Sequence, residues 1–558
     1  MTGSGLGARA DALERLSASS NGTPFDVLVV GGGITGAGIA LDAASRGMKV
    51  ALVERGDFAS GTSSKSSKLV HGGLRYLEQR EFGLVREASV ERDLMLRLAP
   101  HLVEPIPFVL PVSGRTMRAK FGAGLWAYDA LASFRNLRVH KHLTPDEATA
   151  MVPPMPADKL KGGYLFYDCK TDDVRLVMET LVQAVRYGAV VCNYASVVGL
   201  TGGETCAAAI RDERSGDSFE ILARRVVVAA GVWGDRVEHL ANPEVQARLR
   251  PSKGVHLVLP SLKLPMGEAA AFIPDAERRR MLFVIPWLDS ILIGTTDTAF
   301  AGDLDDPFVE DDDRAYCLNA INESFGLSLS DADISGAYAG LRPLVAGAAG
   351  ETADLSRRHR VYDIAEGITG ITGGKLTTWR RMAKDAVDRV AEELSVTTKC
   401  KTHWIRLGSS NVPALRLAVA RRAQRLRLQA DVVDNLVRCY GDRAMGVLDS
   451  AEAHSLTSRV VEGQSPITAE AAYCVANEMV VSLSDFLSRR TRLSLTDRAA
   501  GIGVSSNALD AVGEFLAWSR KEKQRQVAAH LAAVERERGI PIGPEEQPFD
   551  PDERAATG

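Results

Sequence analysis

The chain has 558 residues, 45% of them hydrophobic and 25% charged, with a formal net charge of −4. That length exceeds what one hydrophobic core fills, so two or three domains are expected, with the composition of an ordinary globular protein. The near-neutral balance excludes a nucleic-acid binder working through a global basic field, and no apolar run approaches the roughly 18 residues of a membrane span.

Seven cysteines stand apart, at Cys169, Cys192, Cys206, Cys317, Cys400, Cys439 and Cys474, with no CxxC pair. That pattern argues against zinc ribbons and redox dithiols and suits a reducing cytoplasm. No metal site is expected.

Residues 1–23 read as a mobile tail without an apolar core of signal-peptide length. From Phe25, FDVLVVGGGITGAGIALDAASRGMKVALVER reads as strand, glycine turn, helix and second strand, with Gly47 as the helix C-cap. Gly31, Gly33 and Gly36 fall in the spacing G-x-G-x-x-G. The first permits a tight turn, the second lets a pyrophosphate approach the backbone, and the third lets the helix pack on the sheet. Ile34 and Thr35 open the helix, whose N–H groups face the phosphates. Glu54 ends the second strand, 18 residues beyond Gly36. Its carboxylate suits a ribose diol and would repel the 2′-phosphate of NADP. Arg55 completes this first group of cofactor candidates. The fingerprint does not by itself separate NAD from FAD.

The next segment, TSSKSSKLVHGGLRYLEQREF (Thr62–Phe82), is hydroxyl-rich and then turns through two glycines. It reads as a solvated loop or as backbone wrapped around the extended part of a cofactor. Thr62, Ser63, Ser66 and Ser67 supply hydroxyls suited to ribityl and phosphate oxygens. Gly72 and Gly73 let the chain pass close to a flat ring. Lys68, Leu69 and His71 lie between them.

Further on, Leu176–Val198 has a helical pattern, Gly188 and a strand containing Val197. Ala223–Asp235 reads as a buried strand ending in the small residues Ala229, Ala230 and Gly231. Ser252–Thr298 is strand-rich, with alternating apolar residues that suggest a sheet packed on one face. After a boundary near Thr397–Ser410 helical periodicity takes over to about residue 538, and the last residues, 541–558, read as a disordered tail. Ala511–Gly539 reads as a basic amphipathic helix that can lie on anionic lipid, support a homodimer, or pack on its own domain.

The blocks GGGITGAGIALDAASRG and VERGDFASGTSSKSSKLVHGGLRYLE resemble the N-terminal signature of FAD-dependent glycerol-3-phosphate dehydrogenases. The resemblance continues through FVIPW, IGTTDT, GLRPL and GGKLTTWR, and in the helical region through DFLSRRTRL. It implies an α/β fold with a Rossmann-type FAD-binding domain (24–100, 165–235, 336–395). It also implies a β-rich substrate-capping domain of the amino-acid-oxidase type (101–164, 236–335) and an all-α C-terminal domain (400–540). The implied cofactor is FAD, the implied substrate glycerol 3-phosphate. Electrons would pass to a membrane quinone, from a cytoplasmic protein in peripheral contact with the inner face of the membrane.

Glycerol 3-phosphate is a dianion with a secondary alcohol, so oxidation needs cations for the phosphate and a base for the hydroxyl proton. A guanidinium grips phosphate in a bidentate manner. Arg342 in AGLRPLV and Arg358 in LSRRHRVYDI are the implied clamps, with Arg75 and Tyr76 near the same pocket. His256 in KGVHLVL is the candidate base, because imidazole titrates near neutrality. Thr296 is a candidate for substrate contact, while Asp297 reads better as a turn cap. Gly374, Lys375, Leu376 and Thr377 open a helix whose positive end would face the flavin, and Lys375 could polarise the substrate oxygen. At Ala229-Ala230-Gly231 the family often carries a central threonine, so one hydroxyl contact to FAD is missing. An oxidase using O2, an amino-acid-oxidase-like enzyme and a non-enzymatic flavin-binding module are the alternatives.

Overall fold

The computed structural model describes residues 5–74, 81–131, 138–274, 281–345 and 358–543. In chain order the strands are β1 (Phe25–Val30), β2 (Val50–Val53), β3 (Leu69–Val70), β4 (Glu104–Pro111), β5 (Lys141–Leu143) and β6 (Gly163–Lys170). Then follow β7 (Val190–Cys192), β8 (Ala195–Thr201), β9 (Cys206–Asp212), β10 (Ser218–Val228), β11 (Ser252–Pro260) and β12 (Ala270–Pro274). The last six are β13 (Met281–Trp287), β14 (Ser290–Gly294), β15 (Thr298–Ala299), β16 (Gly336–Arg342), β17 (Arg360–Ala365) and β18 (Ile368–Thr372).

The first sheet runs β17-β18-β10-β1-β2-β7, with β9 and β8 added beyond β10. Its centre is parallel: β1 pairs with β10 and β2, β10 with β18, and β2 with β7. The valine- and leucine-rich centre of β1 and the whole of β2 are buried, as parallel strands covered on both faces must be. Helices Ile34–Ser45, Asp173–Arg186 and Trp379–Glu393 cover this sheet. Gly38 makes one of these contacts: a Cβ there would stand 2.6 Å from the ring of Trp379, which is fully buried.

The second sheet is mostly antiparallel, in the order β15-β11-β14-β13-β12-β4-β6-β3, with β16 on β11 and β5 on β6. β3, β16 and most of β6 lie here, from the intervals 24–100, 336–395 and 165–235 that the resemblance assigns to the nucleotide-binding part. Antiparallel pairing with a neighbour, not proximity in sequence to the fingerprint, decides sheet membership.

Two other expectations change. Within residues 1–23, Arg9–Ser17 is a helix whose Ala12 and Leu16 are buried in the core of the first sheet, and Arg9 pairs with Asp212 at 2.6 Å. The helix expected over Ala511–Gly539 is two helices, Ala508–Phe515 and Arg520–Arg538. Ala517 turns through φ 51° between them, and Ser519 caps the second by accepting from Glu522 N–H at 3.2 Å. Val527, Leu531 and Val534 pack on the cores of their own helical domain.

Buried ion pairs join that domain to the first sheet's layer. Arg175 meets Glu478 at 2.9 Å, and Arg490 meets Asp57 at 2.8 Å. Arg492 meets Asp172 and Asp173, each at 2.6 Å.

Candidate active site

The glycine turn between β1 and its helix is shaped by close backbone approaches. Gly31 has φ 116°, and a Cβ on it would lie 2.5 Å from the carbonyl of Ala229. A Cβ at Gly36 would lie 1.8 Å from the carbonyl of Gly31. Gly33 stands at the helix N-cap, a Cβ there meeting Ser63 Oγ at 3.0 Å. The first free N–H of the helix, from Ile34, donates to that Ser63 hydroxyl at 2.9 Å. Thr35 follows within the same first turn.

Glu54 accepts from Gly32 N–H at 2.7 Å and Gly56 N–H at 2.8 Å. Burial nonetheless holds its carboxyl above the usual range, with these two N–H groups opposing the rise. Ala195 N–H donates to the Glu54 carbonyl at 2.8 Å, so β8, which carries Val197, starts beside this carboxylate. Ala230 and Gly231 follow Ala229, whose N–H meets the Val30 carbonyl at 2.8 Å, directly against the turn. Arg55 points outward, pairing with Asp305 and lying 4.6 Å from the Trp233 ring centre.

The hydroxyl-rich segment lies on the second sheet. Thr62 donates to the Leu341 carbonyl at 2.6 Å, and Gly340 leaves room for the loop, since a Cβ there would sit 2.5 Å from the Lys65 carbonyl. Ser66 Oγ donates to Asp173 at 2.7 Å, and Ser67 Oγ lies 2.8 Å from His256 Nε2. Lys68 takes φ 58° and is fully buried, its ammonium 2.8 Å from Asp173. Burial pushes it down to about 8, with Asp173 opposing. Leu69 pairs into β6. His71 N–H donates to Thr377 Oγ1 at 3.1 Å, joining this segment to the turn Leu376–Thr378 that starts the helix Trp379–Glu393. Gly72 N–H reaches Asp168 at 3.0 Å, and a Cβ at Gly72 would lie 2.1 Å from the Tyr128 hydroxyl. Gly73 and Gly374 take φ 78° and 79°. Lys375 holds the N-cap position of the turn in extended conformation.

Arg342 and His256 share a ladder: Ser252 pairs with Arg342, and His256 with Tyr338, across β11 and β16. The Arg342 guanidinium donates to Thr295 Oγ1 at 3.0 Å, the Thr296 carbonyl at 3.1 Å, Asp297 at 3.1 Å and Ser252 Oγ at 3.2 Å. One-third of its side chain remains exposed. Gly254 clears its path, since a Cβ there would stand 2.3 Å from Arg342 Nη2. Asp297, which reads as a turn cap, is the counter-ion of Arg342. Thr296 is buried and its hydroxyl accepts from Val255 N–H at 2.9 Å, so it builds the strand. His256 is buried and stacks on Tyr338 at 5.0 Å and 19°. Burial, then the charges of Arg342 and Lys68, depress its pKa well below the ordinary histidine value, so the ring is neutral at pH 7. Its Nδ1 is buried with no hydrogen-bond partner among the described residues.

Arg358 is 64% exposed and pairs with Glu81 at 3.1 Å. Arg75 and Tyr76 lie outside the described residues. Sequence reasoning missed Asp168, Ser252, Thr295 and Asp173. Each acts by holding a residue distant in sequence, which no local motif signals.

The donor set fits FAD. A turn that no Cβ would fit, a helix start with no side-chain cap of its own, and a carboxylate at the end of β2 suit a dinucleotide. The second glycine turn at Gly373–Gly374, joined to His71, suits a ring beyond the pyrophosphate.

Comparison with known proteins agrees. Residues 26–389 match the family described as FAD dependent oxidoreductase, and residues 400–523 the C-terminal domain of alpha-glycerophosphate oxidase. "Glycerol-3-phosphate dehydrogenase 2" of Mycobacterium bovis is 40% identical over 96% of this chain and 91% of its own. "Aerobic glycerol-3-phosphate dehydrogenase" of Staphylococcus aureus is 34% identical over 94% of this chain and 96% of its own. The solved glycerol-3-phosphate dehydrogenase of Bacillus halodurans, complexed with FAD, superposes with a TM-score of 0.77 at 30% identity. That match covers 96% of this chain and 98% of the other. A glycine oxidase from Geobacillus kaustophilus, at 19% identity and TM-score 0.53, shares the fold over 69% of this chain and 98% of its own. By sequence along nearly its whole length and by fold, this chain belongs to the family of FAD-dependent glycerol-3-phosphate dehydrogenases.

Proposed function

We propose that the chain oxidises sn-glycerol 3-phosphate at C2 to dihydroxyacetone phosphate and passes the electrons to a membrane quinone. When bound, the flavin of FAD supplies the hydride acceptor. Arg342 takes the phosphate: it is a partly exposed guanidinium pre-oriented by Thr295, Thr296, Ser252 and Asp297. His256, neutral and fixed by Ser67 and Tyr338, takes the alcohol proton at Nε2 through the Ser67 hydroxyl, 2.8 Å away. Lys375, at the start of the turn that His71 touches, holds positive charge near the substrate oxygen. Arg358, Arg75 and Tyr76 are secondary substrate contacts in this reading. The arrangement of Arg342 and His256 on one ladder, beside the hydroxyl-rich segment, carries the proposal.

Among the described residues no helix is long and apolar enough to cross a membrane. Electron delivery to a quinone therefore takes place, on this proposal, by peripheral contact. A second reading, with O2 as acceptor, is favoured by one observation: the model matching residues 400–523 is named for an oxidase. Peroxide formed per substrate consumed, with and without a soluble quinone, decides between them. The quinone reading expects little peroxide and a turnover that rises with quinone. Stoichiometric peroxide, with no response to quinone, would overturn it.

A further inference from the structure

The DFLSRRTRL segment belongs to the helical domain, yet its arginines reach into the nucleotide-binding part. Arg489 and Arg490 hold Asp57, while Arg492 holds Asp172 and Asp173. Asp173 is fully buried and collects Arg492, the Lys68 ammonium, Ser66 Oγ and the Val174 N–H at 2.6–3.0 Å. Lys68 also donates to the Ser64 carbonyl at 2.5 Å, and Tyr338 donates to the Ser66 carbonyl at 2.6 Å. Ser67 stands between Ser66 and Lys68 with its hydroxyl on His256. Tyr338, which stacks on His256, is thus fixed to the same three residues.

We propose that Arg492 is a positioning residue for the reaction: through Asp173 it fixes Ser66–Lys68, and so sets Ser67 and Tyr338 against His256. The proposal rests on the substrate reading above. Stability alone is a poor reason for such a cluster, because apolar side chains of similar volume commonly replace buried ion pairs at no loss. Both ends of the link also take the left-handed backbone region, Lys68 at φ 58° and Arg492 at φ 66°, which non-glycine residues seldom adopt. A polar link that ends on a hydroxyl beside the neutral imidazole has a use that an apolar plug would not serve.

The test uses the FAD-loaded full chain as wild type, Asp173→Asn, Arg492→Lys, Arg492→Met, His256→Asn and His256→Asn/Arg492→Met, with Arg422→Met as control. Arg422 pairs with Asp449 and Glu452 within the helical domain. Anaerobic bleaching of the flavin by glycerol 3-phosphate gives a limiting rate and an apparent substrate constant. We expect Arg492→Met and Asp173→Asn to lower the limiting rate about 10- to 100-fold with little change in that constant, and Arg492→Lys to recover part of it. Adding Arg492→Met to His256→Asn should slow bleaching no further. A wild-type limiting rate in Arg492→Met, or an equal slowing in both backgrounds, overturns the proposal. A wild type that the substrate does not bleach refutes the substrate reading, and the visible circular dichroism of bound FAD then decides. A shift in Arg492→Met and Arg492→Lys but not in Arg422→Met supports positioning; identical spectra overturn it.

Discussion

On the proposed reading Arg342 is a clamp whose guanidinium donates to Thr295, Thr296, Asp297 and Ser252 while one-third of its side chain stays exposed. A charge-assisted bond to a dianion is worth about 1.5–3 kcal/mol, so Arg342→Ala should raise the apparent substrate constant roughly 10- to 100-fold. FAD occupancy should stay intact, because Arg342 lies on β16 of the second sheet and the glycine turn follows β1 of the first. Steady-state kinetics beside the flavin absorbance of the purified variant check this; unchanged kinetics would contradict the clamp. The sequence singles out Arg342 and His256 as candidates through their motifs. It does not single out their supports: Ser252 is 90 residues from Arg342, and Ser67 is 189 residues from His256. Only pairing of β11 with β16, and the laying of the hydroxyl-rich segment across β16, brings them together. The hydroxyls of the same segment read either as a solvated loop or as cofactor contacts, and Thr62, Ser66 and Ser67 have protein partners.

The strand–turn–helix from Phe25 to Ser45 was legible as an element because each glycine does a separate mechanical job there. Gly36→Ala would place its Cβ 1.8 Å from a backbone carbonyl, which no side-chain rotation relieves. The turn must open, so the variant should fold, with far-UV circular dichroism like the wild type, but purify largely without FAD. Full flavin content would contradict the role given to this turn. The expected single helix over Ala511–Gly539 fails for an instructive reason. Its break carries no glycine or proline, since Ala517 takes the left-handed turn. The available signal was Ser519 with Glu522 three residues on, a start pattern inside an apparently continuous helix. The ordered helix Arg9–Ser17 was missed because its burial depends on Ala12 and Leu16 meeting a core built by later residues.

The helical domain meets the first sheet's layer through buried charges that a sequence cannot pair. Asp57 and Glu478 are fully buried, and burial alone would raise both carboxyls. Arg490 and Arg489 instead draw Asp57 down to about 2, and Arg175, Arg443 and Arg490 draw Glu478 down to about 2. On these shifts Asp57 contributes ~2 kcal/mol and Glu478 ~3 kcal/mol, present in full above the ordinary carboxylate values of 3.8 and 4.5 and lost as pH falls through the folded values. Acidification from pH 4 towards 2 should therefore release FAD and separate the helical domain. Flavin and tryptophan fluorescence follow this, and retention of FAD down to pH 2 would contradict it. Domain content was legible from the change to helical periodicity near residue 400. The make-up of the second sheet was not, because it takes β3, β6 and β16 from widely separated parts of the chain. The central claim is that this assembly brings a three-carbon phosphate alcohol to a bound flavin. The most direct test is an anaerobic absorbance titration of the purified holoprotein with sn-glycerol 3-phosphate. Loss of the flavin's visible absorbance with about one substrate per flavin is expected. A flavin that stays oxidised at millimolar substrate, or a protein that binds no FAD, would contradict it.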